Sequence, residues 1–252
     1  MTVTPTSGPW ACGVGLRARS SSIGWHPRRV CGGLISVVAV GRSRSYSSSA
    51  GRPKKCTLLI RPKASLLSRA PGAHVAKFQQ GEAMALPFTD ASFDAAVMAL
   101  VLFFVPDPAK GVAEMARVVR PGGLVAAYLW DFAAGGFPFH PIQVEMRAMG
   151  LTPLLPPSVQ ASRMDVLLDL WAGAGFKNVE SRVITVTRSF ASFEEFWTIS
   201  TNGTGMRPII EAMAPADTEL LKSRVRVRLP ADAEGRITYQ GTANAIKGRV
   251  PA

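Results

Sequence analysis

Four side chains that can bind a ligand or move a proton gather around the end of one apolar run: Tyr128, Trp130, Asp131 and, further on, His140. At the carboxyl end of a buried strand such residues stand at the mouth of a ligand site. His140 is the one among them that takes up a proton near neutral pH. It is therefore the candidate base and, with Trp130, a candidate substrate contact. Other reactive residues offer less. Cys12, Cys31 and Cys56 are spaced far from the close pairs of a zinc site, and three thiols cannot all pair internally. Gly13-Val14-Gly15 lacks both a third glycine and a preceding strand, so it is a decoy for a phosphate-binding turn. No metal site is expected.

The elements that would position these residues begin near residue 73. Val75 to Phe78 is a short strand candidate, and Phe93 to Leu102 is a near-continuous apolar run, as in a strand buried on both faces. Asp107-Pro108 supplies an N-cap and a first-position proline. The helix that follows carries Val112, Met115, Ala116 and Val119 on one face and stops at Arg120-Pro121-Gly122-Gly123. Leu124 to Trp130 is a second buried strand, so strand, helix and strand make a parallel unit. Beyond it, Ala133 to Pro157 reads as a loop or lid with one helix near 142–149, and Met164 to Ala174 as an amphipathic helix closed by Gly175. Val179 to Thr187 reads as a strand. Ser192 and Glu195 form a capping box for a helix bearing Phe193, Phe196 and Trp197. Residues 208–229 read as helical, and Arg236 to Arg249 as a final strand.

Charge divides the chain in two. The 252 residues carry a net charge of +12. Residues 1–72 contain 12 Lys and Arg with no Asp or Glu, whereas 73–252 contain 17 of each sign. The excess belongs to one segment and not to a basic groove, which argues against nucleic acid as a partner. No run of 18 apolar residues suggests a membrane span. The basic, Ser/Arg/Gly-rich segment 1–72 admits three readings: a mitochondrial transit peptide, a disordered tail, or an out-of-frame translation.

Gly81-Glu82-Ala83-Met84-Ala85-Leu86-Pro87-Phe88 with Ser92-Phe93-Asp94, then Val105-Pro106-Asp107-Pro108, then Arg117-Val118-Val119-Arg120-Pro121-Gly122-Gly123 together resemble class I methyltransferases of the ubiquinone/menaquinone-biosynthesis type. The resemblance is close over 79–130 and looser to 252. It implies a Rossmann-like doubly wound α/β sheet, S-adenosyl-L-methionine as cofactor, and methyl transfer to a small-molecule acceptor in the cytoplasm. It places Glu82 and the Ala83 amide on the cofactor's adenine, although Glu82 is one methylene longer than the family's usual aspartate. Met98 and Ala99 would back the methionine part. Leu102-Phe103-Phe104 stands where many members have histidines, which implies an apolar pocket. A sulfonium methyl is already activated, so transfer needs mainly approximation and orientation.

The family's glycine-rich turn, D-x-G-C-G-x-G, and the later acid for the ribose are both absent from the sequence, and residues 1–72 occupy their place. The amino-terminal strands are thus expected to be missing or disrupted, and residues 73–252 to be the carboxy-terminal two-thirds of the domain. Reading from the third base of each codon removes the gap. Leu34 to Ser47 then permit Asp-Ile-Gly-Cys-Gly-Ser-Gly-Ala-Phe-Thr-Glu-Leu-Leu, and Leu58 to Arg69 permit Ile-Asp-Pro-Ala-Glu-Gly-Gln-Leu-Ala-Phe-Ala-Arg. Turn and acid return in one frame, in order, so residues 30–70 read as an out-of-frame version of the cofactor-binding half. Two rival classes stay open: a non-catalytic remnant or interaction protein with a basic tail, and an organellar enzyme with a cleaved leader.

Overall fold

The computed structural model describes residues 34–38, 56–61, 77–202 and 206–252. Its strands are β1 (Leu34–Val38), β2 (Cys56–Arg61), β3 (Lys77–Gly81), β4 (Phe93–Ala99), β5 (Val119–Trp130), β6 (Lys177–Phe190) and β7 (Ile237–Arg249). The helices are α1 (Pro108–Val118), α2 (His140–Ala148), α3 (Met164–Gly173), α4 (Phe193–Asn202), α5 (Arg207–Glu211) and α6 (Pro215–Arg228). The strands form one sheet in the order β3-β2-β1-β4-β5-β7-β6. Strand order turns back on either side of β1 and β4, as in a doubly wound sheet.

The centre follows from local chemistry. In β4 the apolar run leaves four consecutive residues buried, Phe93 to Ala96, because both faces are covered. Asp107 caps α1 by accepting a hydrogen bond from the Lys110 amide at 3.1 Å, and Pro108 starts the helix. Val112, Met115 and Val118 form its fully buried stripe. Gly111 lets α1 pack closely on the turn that precedes it, since a Cβ there would sit 3.1 Å from Val105. Gly123 needs its missing side chain more strongly: a Cβ would lie 2.8 Å from the carbonyl oxygens of Arg120 and Asp94. The register between β4 and β5 shifts there, from Phe93 opposite Val119 to Ala95 opposite Leu124.

At the far end, the predicted capping box forms. The Glu195 amide donates to Ser192 Oγ at 3.2 Å, and the Glu195 carboxylate accepts from the Ala191 amide. Two apolar cores result. One lies on the sheet and includes Met98, Met115, Leu129, Leu167 and Trp171. The other joins α2, α4 and α6 through Ile142, Met146, Phe196, Trp197, Leu221 and Val225.

The expected parallel sheet requires one correction. β1 runs parallel to β4, and β4 to β5, but β2 is antiparallel to both its neighbours. β7 is also antiparallel to β5 and β6. A parallel β2 needs the chain to return to the opposite edge through a crossover. Here the chain leaves β1 at Val38 and enters β2 at Cys56 on the same edge. The strand candidate at 75–78 is realised two residues later, as β3.

Candidate active site at the carboxyl edge of the sheet

One rung of paired residues crosses the sheet: Gln79, Leu58, Val37, Met98, Ala127, Ile246 and Ser181. One step toward the carboxyl edge lie Gln80, Ala99 and Tyr128. Glu82 stands two residues beyond Gln80, and Trp130 two residues beyond Tyr128. Because β3 is antiparallel to an antiparallel strand, it ends on the same edge as β1, β4 and β5. The cofactor-site candidates Glu82, Ala83 and Ala99 and the substrate candidate Trp130 therefore reach a single rim, where an open sheet takes its ligands, whereas Met98 lies in the core behind it.

The Glu82 turn is tight. The Ala85 amide donates to the Glu82 carbonyl at 3.1 Å, and the two residues form an isolated bridge. Ala83 is buried, and among the described residues nothing accepts its amide proton. A half-exposed carboxylate beside a backbone donor is a fitting donor–acceptor pair for the edge of an adenine ring. Met98 is fully buried against α1 in the main core, whereas Ala99 is only partly covered at the strand end. Leu100 follows at φ 58°, and its amide donates to the Tyr128 carbonyl at 2.8 Å, which ties the two strand ends together. Leu102, Phe103 and Phe104 form a 3-10 turn with Leu102 and Phe103 buried, and Phe103 packs edge-on against Phe132. That side of the rim is apolar, as the sequence implied.

The loop after β5 is built around Gly135 and Gly136. The Gly136 amide donates to Asp131, and the Thr242 amide donates to the Gly136 carbonyl, both at 2.7 Å. The Tyr239 hydroxyl reaches the carbonyls of Gly135 and Phe137 at 3.3 and 3.2 Å. Gly135 has φ 72°, and a Cβ on it would meet the His140 ring at 2.6 Å. The imidazole thus lies on the loop, edge-on to Phe137. Burial, then the charges of Arg147 and Arg228, hold His140 below its ordinary pKa, so it is neutral at pH 7. Its Nδ1 is enclosed and has no hydrogen-bond partner among the described residues. Trp130 covers Gly241, whose Cβ would touch the indole at 3.0 Å. Trp130 and His140 are held by neighbouring glycine contacts, although ten positions apart in the chain.

A polar hub near the Glu82 turn had no place among the candidate residues. Glu114 and Arg117 on α1 bind the chain from Leu86 to Asp90. Their spacing of three on one helix was the available signal. It pointed to a surface ion pair, because sequence does not say which loop lies over that face.

The family described as a methyltransferase domain matches residues 41–127. A demethylmenaquinone methyltransferase of Desulfitobacterium hafniense is 48% identical over 61 residues, 24% of each chain. Another, from Clavibacter sepedonicus, is 31% identical over 132 residues, covering 46% of this chain and 53% of that protein. The chain thus spans about half, or less, of the length of these relatives. Among solved structures, the YcgJ protein of Bacillus subtilis overlays with a TM-score of 0.41 at 19% identity, covering 69% of this chain and 70% of that one. The motifs of residues 79–130 and the family match over 41–127 agree, and over that stretch the chain is similar to class I, S-adenosylmethionine-dependent methyltransferases of the ubiquinone/menaquinone type.

Proposed function

We propose that this chain is built for methyl transfer from S-adenosyl-L-methionine to a small organic acceptor at the rim formed by β3, β4 and β5. The observation that carries the reading is the shared edge: Glu82, Ala99 and Trp130 stand at or just past the ends of three strands, within two rungs of each other along the strand direction. Glu82 and the Ala83 amide would hold the adenine, Ala99 and the end of β4 would back the methionine part, and Trp130 with neutral His140 would face the acceptor. The bound cofactor supplies an electrophilic methyl on a sulfonium, and the residues orient it and exclude water. What the sequence lacks is the backbone cradle for the cofactor's carboxylate end, normally a glycine turn opening a helix. Binding is therefore expected to be weak, in the high micromolar range or above.

Titration calorimetry with S-adenosylhomocysteine tests this. Heat that disappears in Glu82→Ala supports the rim as the site, and no heat at millimolar ligand removes the proposal. In the second case a non-catalytic remnant is the better reading, and the reversed β2 is the observation that favours it. Residues 1–72 belong to this proposal too, as an out-of-frame segment standing where the family has its cofactor-binding half. The compartment is proposed as cytoplasmic, or mitochondrial if the segment holds a transit peptide. Among the described residues no helix is long and apolar enough to cross a membrane.

A further inference from the structure

The turn that presents Glu82 and Ala83 has almost no secondary structure of its own from Leu86 to Ser92. The eleven-residue connection 82–92 from β3 to β4 must still satisfy its backbone groups where it is buried. Leu86, buried in the main core, has both groups met by two side chains of α1. Its amide donates to Glu114 Oε2 at 2.7 Å, and its carbonyl accepts from Arg117 Nη2 at 3.0 Å. The carboxylate and guanidinium stand in for a neighbouring strand. Arg117 Nη1 also donates to the Phe88 carbonyl and to Asp90 Oδ1, both at 2.7 Å, while the Arg117 carbonyl accepts from the Ala91 amide at 2.9 Å. The pair is itself joined twice, through Arg117 Nε to Glu114 Oε1 and Nη2 to Oε2. Bidentate geometry of this kind fixes the direction of both side chains. The segment after the turn is thus tied to one helix at Leu86 (twice), Phe88, Asp90 and Ala91.

We infer that Glu114 and Arg117 are positioning residues for the Glu82–Ala83 turn: they lock Leu86, and through it hold the Ala83 amide at the rim. Neither reaches the rim itself. The inference rests on the cofactor reading of Glu82 and Ala83 given above. Lysine at 117 offers one point charge in place of a planar fork, so it cannot serve Leu86, Phe88 and Glu114 together.

Amide hydrogen exchange and calorimetry on the full chain separate this from a general stabilising role. In Arg117→Met the amides of 83–91 are expected to exchange about tenfold faster or more, which is the scale of losing charge-assisted hydrogen bonds. Amides in β6 and β7 should keep their rates. S-adenosylhomocysteine affinity should fall about tenfold, with Arg117→Lys intermediate and Glu114→Gln closest to the parent. Glu114→Gln keeps a hydrogen-bonding oxygen for Leu86 and serves if Arg117→Met does not fold. Unchanged exchange over 83–91 in a folded variant overturns the inference, as does faster exchange with unchanged affinity. If the parent binds no S-adenosylhomocysteine, the cofactor reading falls, and the exchange pattern alone decides whether the pair holds the turn.

Discussion

The β4–α1–β5 unit and the β1–β2 pair lie next to each other in one sheet, joined by the parallel register of β1 with β4, yet their strands are connected in opposite ways. Between β4 and β5 the chain supplies a cap at Asp107 and a buried helical stripe ending at Val118, so it crosses over and returns parallel; the Pro-Gly-Gly expected to stop the helix lies within β5. Between β1 and β2 the residues 39–55 are rich in Ser and Arg, with no apolar stripe to bury a helix against the sheet. β2 then pairs antiparallel. The backbone ladder is satisfied in either direction, so hydrogen bonding alone does not choose between them. An amphipathic crossover does. The sequence of that connection also lacks the glycine turn that would open a helix toward the cofactor's carboxylate end.

That contrast can be attacked from both sides. The largest effect belongs to the well-formed half. Trp171 is fully buried under the sheet, against Phe176 and Gly248, so Trp171→Ala should lose about 3–5 kcal/mol in denaturant unfolding. Its Nε1 has no partner among the described residues, so Trp171→Phe should cost clearly less; equal losses would mean that the indole nitrogen matters. Next comes repair of the other half. Replacing residues 34–69 with their third-base reading restores a glycine turn, a helix and a second acid. S-adenosylhomocysteine should then bind roughly a hundredfold tighter by calorimetry. No gain in a folded chimera would sink the out-of-frame reading, and so would codons at 34–47 unable to spell the turn.

A smaller effect is expected at the β5 bend. Gly123→Ala places a methyl against two backbone carbonyls that cannot swing away, and should cost about 1–3 kcal/mol. The smallest is a pH effect. Hydrogen bonds from Arg117, and then from the Leu86 amide, hold the Glu114 carboxyl below its ordinary value of 4.5. A depressed carboxylate contributes fully above its unfolded value and loses that contribution as pH falls through the folded one. Glu114→Gln should therefore flatten the fall in stability below about pH 4.5, on the order of 1 kcal/mol, and change little at pH 7. A parallel acid limb in parent and variant would mean that the clamp contributes nothing.

What could be read from the chain alone followed locality. Asp107-Pro108, the stripe Val112–Met115, the Ser192–Glu195 box and the apolar run of β4 are each set by neighbours within a few positions, and each appears where expected. The edge at which β5 ends, at Trp130, follows likewise from the parallel unit, whereas Glu82 shares that edge only through the two antiparallel pairings of β2. Three things were decided only in the assembled molecule. The direction of β2 depends on whether the intervening chain can pack a helix on the sheet, a property of the whole face. The pressing of His140 onto Gly135, and its low pKa, arise from its burial against that loop and then from the charges of Arg147 and Arg228 near it. The hold of Arg117 on Leu86 and Phe88 joins residues 31 and 29 positions apart. Pairings of that reach depend on how a loop lies across a helix, and composition and periodicity do not encode it.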